Sequence, residues 1–386
     1  MDIFRVKSLH KYVKETLPSL KFDKIHVGSL EGFTPPSVLV GEYNYPKISV
    51  GVMFSAESNS QVLNSPNFWI KNNYTVSRIF SLRRELVNAK SRFSVYEPDT
   101  DKLQKIQLTS MSQNEVKIGL ELSRVYNYYF KSRDIGVYGK SAEMEKLSFN
   151  DNVKIQKPVE AVYYDRDLKA SDGIINLYSS GIGENKISDI LSLGAMGTKR
   201  KMVPTKWSIT AVDDTIGKKL ISEVKGFEEG ENYIMKSGGI LGNHFTFLFL
   251  RGEWSFELIE AWNNNSKLFI GDGDYELYEG RKTYASNTAG GYYAVRLAVL
   301  EELKRMKRQF SVVVIREITP EYFVPLGVWV VRESARAALK GDTKVFEGLK
   351  QLIEAANGST LYLKDIHERS KLLKIIRNQR RLYDFA

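Results

Sequence analysis

The chain holds no cysteine and only 4 histidines among its 386 residues. Without cysteine there are no disulfides, thiolate zinc sites, iron–sulfur clusters or thiol nucleophiles, and so few imidazoles argue against zinc chemistry; the sequence assigns no metal site of that kind. No stretch approaches the ~20 apolar residues of a membrane span. The start Met1-Asp2-Ile3-Phe4-Arg5 lacks the apolar core of a secretory signal. The expectation is a cytoplasmic protein with no membrane partner. Walker A, dinucleotide-binding and nucleophile-elbow signatures are missing, which leaves ATP hydrolysis, dinucleotide use and α/β-hydrolase chemistry without support. There is no internal repeat, low-complexity tract or obvious flexible linker. His244, ahead of an apolar strand, reads as a structural histidine rather than a base.

What the chain does have is hydrophobic mass and positive charge. Hydrophobic residues make up 42% and aromatics 12%, enough for well-buried cores and, at this length, for two or three domains. A formal net charge of +10 and a pI near 9.3 favour an anionic partner such as nucleic acid. The charge is uneven: Lys364 to Arg381 carries 7 Lys or Arg against 2 acids, so half of the excess sits in one short terminal segment.

Patterning along the chain predicts a mixed α+β fold, with an antiparallel, sheet-rich central region packed with helices and a helical C-terminal segment. Thr34 to Gly41 and Tyr45 to Gly51 read as two short strands forming a paired edge. Ile118, Leu122, Val125 and Tyr129 recur at helical spacing and predict an amphipathic helix over 114–132; Val76 to Ala89 reads as a second, more basic helix with Arg78, Arg83 and Arg84. Val159 to Tyr164 reads as a strand. After Gly230, runs at 233–236, 245–250, 254–262 and 267–271 suggest an antiparallel meander. Then come a helix over 295–309, strands over 312–316 and 327–331, and helices from Arg332 to the end. The expected regions are 1–152, an N-terminal mixed α/β part; 153–362, the sheet-rich part; and 363–386, a basic helical tail.

The chain ends Gln379-Arg380-Arg381-Leu382-Tyr383-Asp384-Phe385-Ala386. Gln, an aliphatic three later and an aromatic three after that resemble the PCNA-interacting peptide, or PIP box, by which proteins dock on a sliding clamp. The resemblance implies that Gln379 enters a small polar pocket while Leu382, Tyr383 and Phe385 supply the hydrophobic plug, and Leu382 and Phe385 share one side of a 3₁₀ turn. Ala386 stands where a second aromatic is usual. The competing reading is an amphipathic helix that docks Leu382 and Phe385 on its own domain. Two internal blocks add to the tail. Pro35-Pro36-Ser37-Val38-Leu39-Val40-Gly41 with Tyr45-Pro46-Lys47, and Val203-Pro204-Thr205-Lys206-Trp207-Ser208-Ile209-Thr210, resemble the signature stretches of the archaeal Nre proteins. That family implies a role in DNA damage repair through the clamp PCNA and supplies no agreed catalytic set. Some of its members carry an N-terminal cysteine zinc motif; this chain resembles the form without one.

Residues 179–191, Ser-Ser-Gly-Ile-Gly-Glu-Asn-Lys-Ile-Ser-Asp-Ile-Leu, resemble the hairpin and second helix of a helix-hairpin-helix. There Gly181 and Gly183 would let backbone N–H groups approach a DNA phosphate. The residues before it do not read as a clear first helix, so a plain glycine turn ahead of a core helix competes. Lys199, Arg200, Lys201 and Lys206 surround a glycine turn and suggest a phosphate-tracking patch, with Trp207 available to stack on a base; the alternative is a solvated loop and a core tryptophan. Lys304, Arg305, Lys307 and Arg308 fit a helix C-terminus. Asp213-Asp214, Asp272-x-Asp274-x-Glu276 and Asp165-x-Asp167 are candidates for a nuclease using Mg²⁺ or Mn²⁺, since paired carboxylates on a metal activate water. Turn composition explains Asp272 and Asp274 equally well. The readings that stand are thus a clamp-associated DNA-binding factor, a metal-dependent nuclease and a repair adaptor that does not touch DNA.

Overall fold

The computed structural model describes residues 26–96, 100–132, 135–263 and 267–378. They divide into two units, the first comprising residues up to Thr215 with Val324–Gly327, the second Ile216–Phe323 with residues from Val328 onward. Twelve helices among the described residues and two mixed sheets make an α+β fold. No described helix is long and apolar enough to cross a membrane.

The first unit is built on strands β1 (Gly28–Thr34), β2 (Val38–Val40), β3 (Lys47–Phe54), β4 (Val87–Ser94), β5 (Val116–Ser132) and β6 (Gly136–Phe149), in the order β1-β5-β6-β4-β3-β2. The expected paired edge is there: β2 is the last strand and pairs antiparallel with β3. Val50, Val52, Ala89, Ile118, Leu120, Ala142 and Met144 form its core with Leu103 and Ile106 of α3 (Asp101–Met111). Helices α1 (Pro66–Lys71) and α2 (Val76–Arg84) precede β4, and Arg83 of α2 lies over the rings of Trp69 and Tyr138 while donating to the Leu326 carbonyl at 2.5 Å. That contact ties the excursion Val324–Gly327 into this unit. Four further helices follow the sheet: α4 (Lys157–Tyr164), α5 (Ala170–Ser179), α6 (Glu184–Ser192) and α7 (Thr205–Val224), the unit boundary falling within α7.

The second unit has seven strands: β7 (Tyr233–Ile240), β8 (Asn243–Leu250), β9 (Ser255–Asn263), β10 (Leu268–Ile270), β11 (Asp274–Glu276), β12 (Ser311–Ile318) and β13 (Asp342–Phe346). Their order is β10-β9-β12-β8-β7-β13, with β11 on β9. The expected meander is interrupted, because β12 inserts between β8 and β9 and runs parallel to β9. A parallel neighbour needs a crossover, and α8 (Gly290–Met306) is part of it. β8 is buried on both faces: Phe245, Phe247 and Phe249 alternate with Leu248 and Leu250, the two leucines joining a core with α10 (Leu349–Ser359), α11 (Ile366–Arg369) and α12 (Lys371–Asn378). Helix α9 (Val328–Leu339) packs with α8 and against β7 and β8.

Several expectations are corrected. The segment 114–132 is strand β5, with Val116, Ile118, Leu120 and Leu122 buried at alternate positions. Register shifts on either side of Leu122 change the phase of the alternation, so the spacing from Leu122 to Val125 mimics a helix. Residues 159–164 are helical: Pro158 sits in the first turn of α4, where its missing N–H costs nothing. Gly327 to Val331 is not a strand: Val328 begins α9, whose first turn, Val328 to Arg332, is buried on every side and so has no period to read. The basic helix ends at Arg84, and both Arg83 and Arg84 are buried.

Candidate nucleic-acid interface

A helix does precede the glycine turn. Leu177 and Ile174 bury one side of α5, and the helix closes as the Ile182 N–H donates to the Leu177 carbonyl and the Gly181 N–H to that of Tyr178, both at 3.0 Å. This paired closure needs a left-handed residue at 181, where φ is +81°, and it buries Ile182 near Leu177. Gly183 then caps α6 at φ −68°, its carbonyl accepting from the Ile187 N–H at 3.1 Å. The two glycines have different explanations. Gly181 is required by its backbone angle. Gly183 is not: its φ suits any residue and an added Cβ would meet nothing within 4 Å. Gly183 itself is exposed, and the N–H groups of the turn that follows carry the positive end of the helix dipole. Glu184 lies in the same turn and offsets part of that charge.

Side chains of α6 and α7 fix this hairpin against the sheet edge. β2 bonds to β3 on one side only, and its outward N–H groups are met by side chains: Val40 N–H donates to Thr205 Oγ1 at 2.8 Å, and Val38 N–H to the Asp189 carboxylate. Ser188 Oγ lies 2.7 Å from Ser208 Oγ, and Ser192 Oγ 3.2 Å from Thr205 Oγ1, so α6 runs antiparallel to the start of α7. Burial pushes the Asp189 carboxyl up to about 8, against the opposing pull of Lys186 and the Val38 N–H, and pushes the Lys186 amine down to about 8. Lys186 donates to the Ser112 carbonyl at 2.5 Å.

The basic candidates separate into two groups. Arg200 is buried, and its guanidinium donates to the carbonyls of Ala195 (2.9 Å), Gly197 (3.0 Å), Tyr163 (2.6 Å) and Asp165 (3.0 Å); it closes the glycine turn rather than facing solvent. Lys199 and Lys201 are exposed, and the Lys201 amine stands 5.5 Å from the centre of the Tyr96 ring. Lys206 is half-buried with its amine 3.7 Å from Glu42, and Trp207 is exposed rather than core. The hairpin glycines and Lys206 lie at opposite ends of α6, about 13 Å apart along its axis at 1.5 Å per residue, or about four steps along one DNA strand.

The acidic candidates do not assemble. Asp213 is fully buried on α7 and Asp214 half-buried, each with interactions inside the protein. Asp165 Oδ1 accepts from the N–H groups of Asp167 and Leu168, a local turn. Asp274 is buried, accepting from the Thr288 N–H (2.8 Å) and hydroxyl (2.9 Å) and pairing with Arg281 at 3.2 Å, whereas Asp272 is exposed. Glu276 is paired with Arg296 at 2.8 Å. Among the described residues no group of three or more His, Asp or Glu is placed to hold a metal ion. Lys304 and Arg308 pair with Glu223 (2.7 Å) and Glu228 (3.0 Å).

Gln379, Leu382, Tyr383 and Phe385 lie outside the described residues. The helix leading to them is held by an element that sequence patterning missed. Glu257 of β9 accepts from the Ser370 hydroxyl and from the N–H groups of Lys371 (2.9 Å) and Leu372 (3.0 Å), capping α12. Burial raises its carboxyl above the usual range, against the pull of those donors. Glu317 of β12 likewise accepts from the N–H groups of Leu361 (2.7 Å), Tyr362 (2.6 Å) and Leu363 (2.8 Å). A glutamate inside an apolar strand is the only signal that could have found either.

Comparison with known proteins covers nearly the whole chain. Residues 13–268 match the family model Archaeal Nre, N-terminal, and residues 276–385 match Archaeal Nre, C-terminal. The chain is 34% identical over 333 residues to DNA repair protein NreA of Archaeoglobus fulgidus, covering 84% of this chain and 83% of that protein. It is 32% identical over 381 residues to DNA repair protein NreB of the same organism, at 96% and 95% coverage. NreA of Haloferax volcanii is 31% identical over 347 residues, at 85% and 82%. No solved structure matches.

Proposed function

The chain belongs to the archaeal Nre family, and we propose that it is a DNA repair factor that grips DNA backbone at the α5–α6 hairpin and docks on the sliding clamp PCNA through its last eight residues. The observation that carries the DNA half is Gly183, an exposed glycine at the N-cap of α6 whose backbone angle does not demand one. A phosphate oxygen needs close access to backbone N–H groups, and any side chain there would stand in its way. Lys199 and Lys201 add mobile positive charge further along the strand, and the repair role carried by the names of the relatives fits an anionic partner. The clamp half rests on the Gln379, Leu382, Tyr383 and Phe385 spacing.

Each half has its own test. Gly183→Val should cost about 1 kcal/mol of stability, the loss of a glycine N-cap, yet weaken binding to duplex DNA by about tenfold or more. Unchanged binding in a folded Gly183→Val protein would remove the hairpin from the interface. Replacing Lys199 and Lys201 with alanine should reduce the slope of log K against log salt by about one for each phosphate that is no longer neutralised. For the clamp, calorimetric titration of PCNA with the full chain and with a chain truncated after Asn378 should show binding only for the former; equal binding by both would move the anchor elsewhere.

A further inference from the structure

We propose that the loop end of the first sheet is a stacking surface for unpaired DNA bases, formed by Tyr43, Tyr45, Tyr96 and Trp207. The inference rests on the DNA-binding reading above and adds the form of DNA preferred. These four aromatics are 79%, 51%, 62% and 53% exposed, and among the five tryptophans Trp207 alone is exposed. They come from three places in the chain that the fold joins. Tyr43 and Tyr45 sit on the loop between β2 and β3; the Val95 N–H donates to the Pro46 carbonyl at 3.0 Å, which brings Tyr96 to the foot of that loop. Lys206 pairs with Glu42 at 3.7 Å, setting the residue before Trp207 beside the residue before Tyr43. Lys201 stands over the Tyr96 ring, and Lys47 is exposed at the start of β3.

The chemistry of the surface selects its occupant. Among the described residues Lys47, Lys201 and Lys206 adjoin these rings against one acid, Glu42, so an anionic chain is favoured. Phosphate contact alone needs no aromatic rings. Rings interleaved with cations match a strand that alternates charged backbone with flat bases, and a base offers its face only when it is unpaired. A duplex shows base edges, which tyrosine and tryptophan rings cannot stack on. A protein partner would also use aromatics, but not this excess of lysine, which is depleted at protein interfaces.

The test titrates the full-length protein with oligodeoxythymidylate of about 20 nucleotides and with a mixed-sequence duplex of that length, following tryptophan emission and the anisotropy of a labelled strand. Single strand should bind more tightly than duplex and quench the exposed tryptophan, and the quench should vanish in Trp207→Leu. Tyr96→Ala and the Tyr43→Ala/Tyr45→Ala double variant should each weaken single-strand binding by about 5- to 100-fold while duplex binding stays as in the parent. Aromatic variants that bind single strand like the parent, or a parent that prefers duplex, would overturn the stacking proposal. If at the same time Gly183→Val still weakens duplex binding, the backbone reading survives alone. A parent that binds neither form sinks both.

Discussion

Both units bury charge, but the first sets Arg83 and Arg200 against main-chain carbonyls and exposes more aromatics, whereas the second closes its charges in ion pairs. In the second, polar groups are turned inward and closed on one another: Arg296 with Glu276 (2.8 Å), Arg316 with Glu260 (2.5 Å) and Lys236 with Glu302 (2.8 Å) are all buried pairs, and its one described exposed aromatic, Tyr284, stacks on Tyr293. In the first, six aromatics, Tyr43, Tyr45, Phe68, Tyr96, Tyr164 and Trp207, stand exposed, and a glycine is spent where the backbone needs none. Buried ion pairs add little net stability, but breaking one leaves an ill-solvated charge. Exposed rings bury little area, and Phe68, Tyr164 and Tyr96 each meet a neighbouring side chain at the surface.

If this contrast is right, substitutions of similar size should act on stability in one unit and on binding in the other. The largest effect is expected for Glu276→Ala, which takes the carboxylate from buried Arg296 and from the Trp254 indole N–H; it should cost about 3–5 kcal/mol in denaturant unfolding. A drop below about 1 kcal/mol would mean that this pair is effectively solvated. Next comes Glu257→Ala, which strips the cap from α12 and should cost about 1–3 kcal/mol, seen as faster hydrogen exchange of the amides from Leu373 to Asn378. Protection unchanged from the parent would assign the hold on α12 to Leu372 and Leu373 alone.

A smaller effect should follow pH in the first unit. Folding lifts Asp189 from its ordinary 3.8 to about 8, so the folded chain keeps that proton longer than the unfolded chain. Its contribution is complete below about pH 4 and lost as pH rises through about 8. Lys186, lowered from 10.5 to about 8, works in the other direction: its contribution is complete above about pH 10.5 and lost as pH falls through about 8. From pH 5 to 8 the melting temperature of the parent should therefore fall more than that of Asp189→Asn, which keeps an acceptor for the Val38 N–H. Parallel profiles would show that the pair titrates alike in both states. Gly183→Val should cost less stability than either glutamate variant.

Legibility followed the same physics. Strands β7, β8 and β9 were readable because long aromatic and β-branched runs have few other uses, and the edge pair β2–β3 because Pro and Gly punctuate it. β5 was hidden by register shifts around Leu122, and the start of α9 by burial on every side. The Gly181 and Gly183 turn was legible as a motif, yet its first helix and the open space around it were not, because they depend on α5 and the sheet edge being in place. Trp207 could be flagged from its neighbours. Tyr43, Tyr45 and Tyr96 could not, since exposure is a property of what folds around a residue and not of its identity.

Glu257 and Glu317 hold the end of the chain by main-chain N–H groups, and a carboxylate meeting an amide is indifferent to the side chain that amide bears. The path up to α12 is thereby set in part by the main chain, with the Ser370 hydroxyl and the buried Leu372 and Leu373 as the side chains that add to it. Changes to the exposed side chains of Leu361 and Lys371 leave both carboxylates their donors.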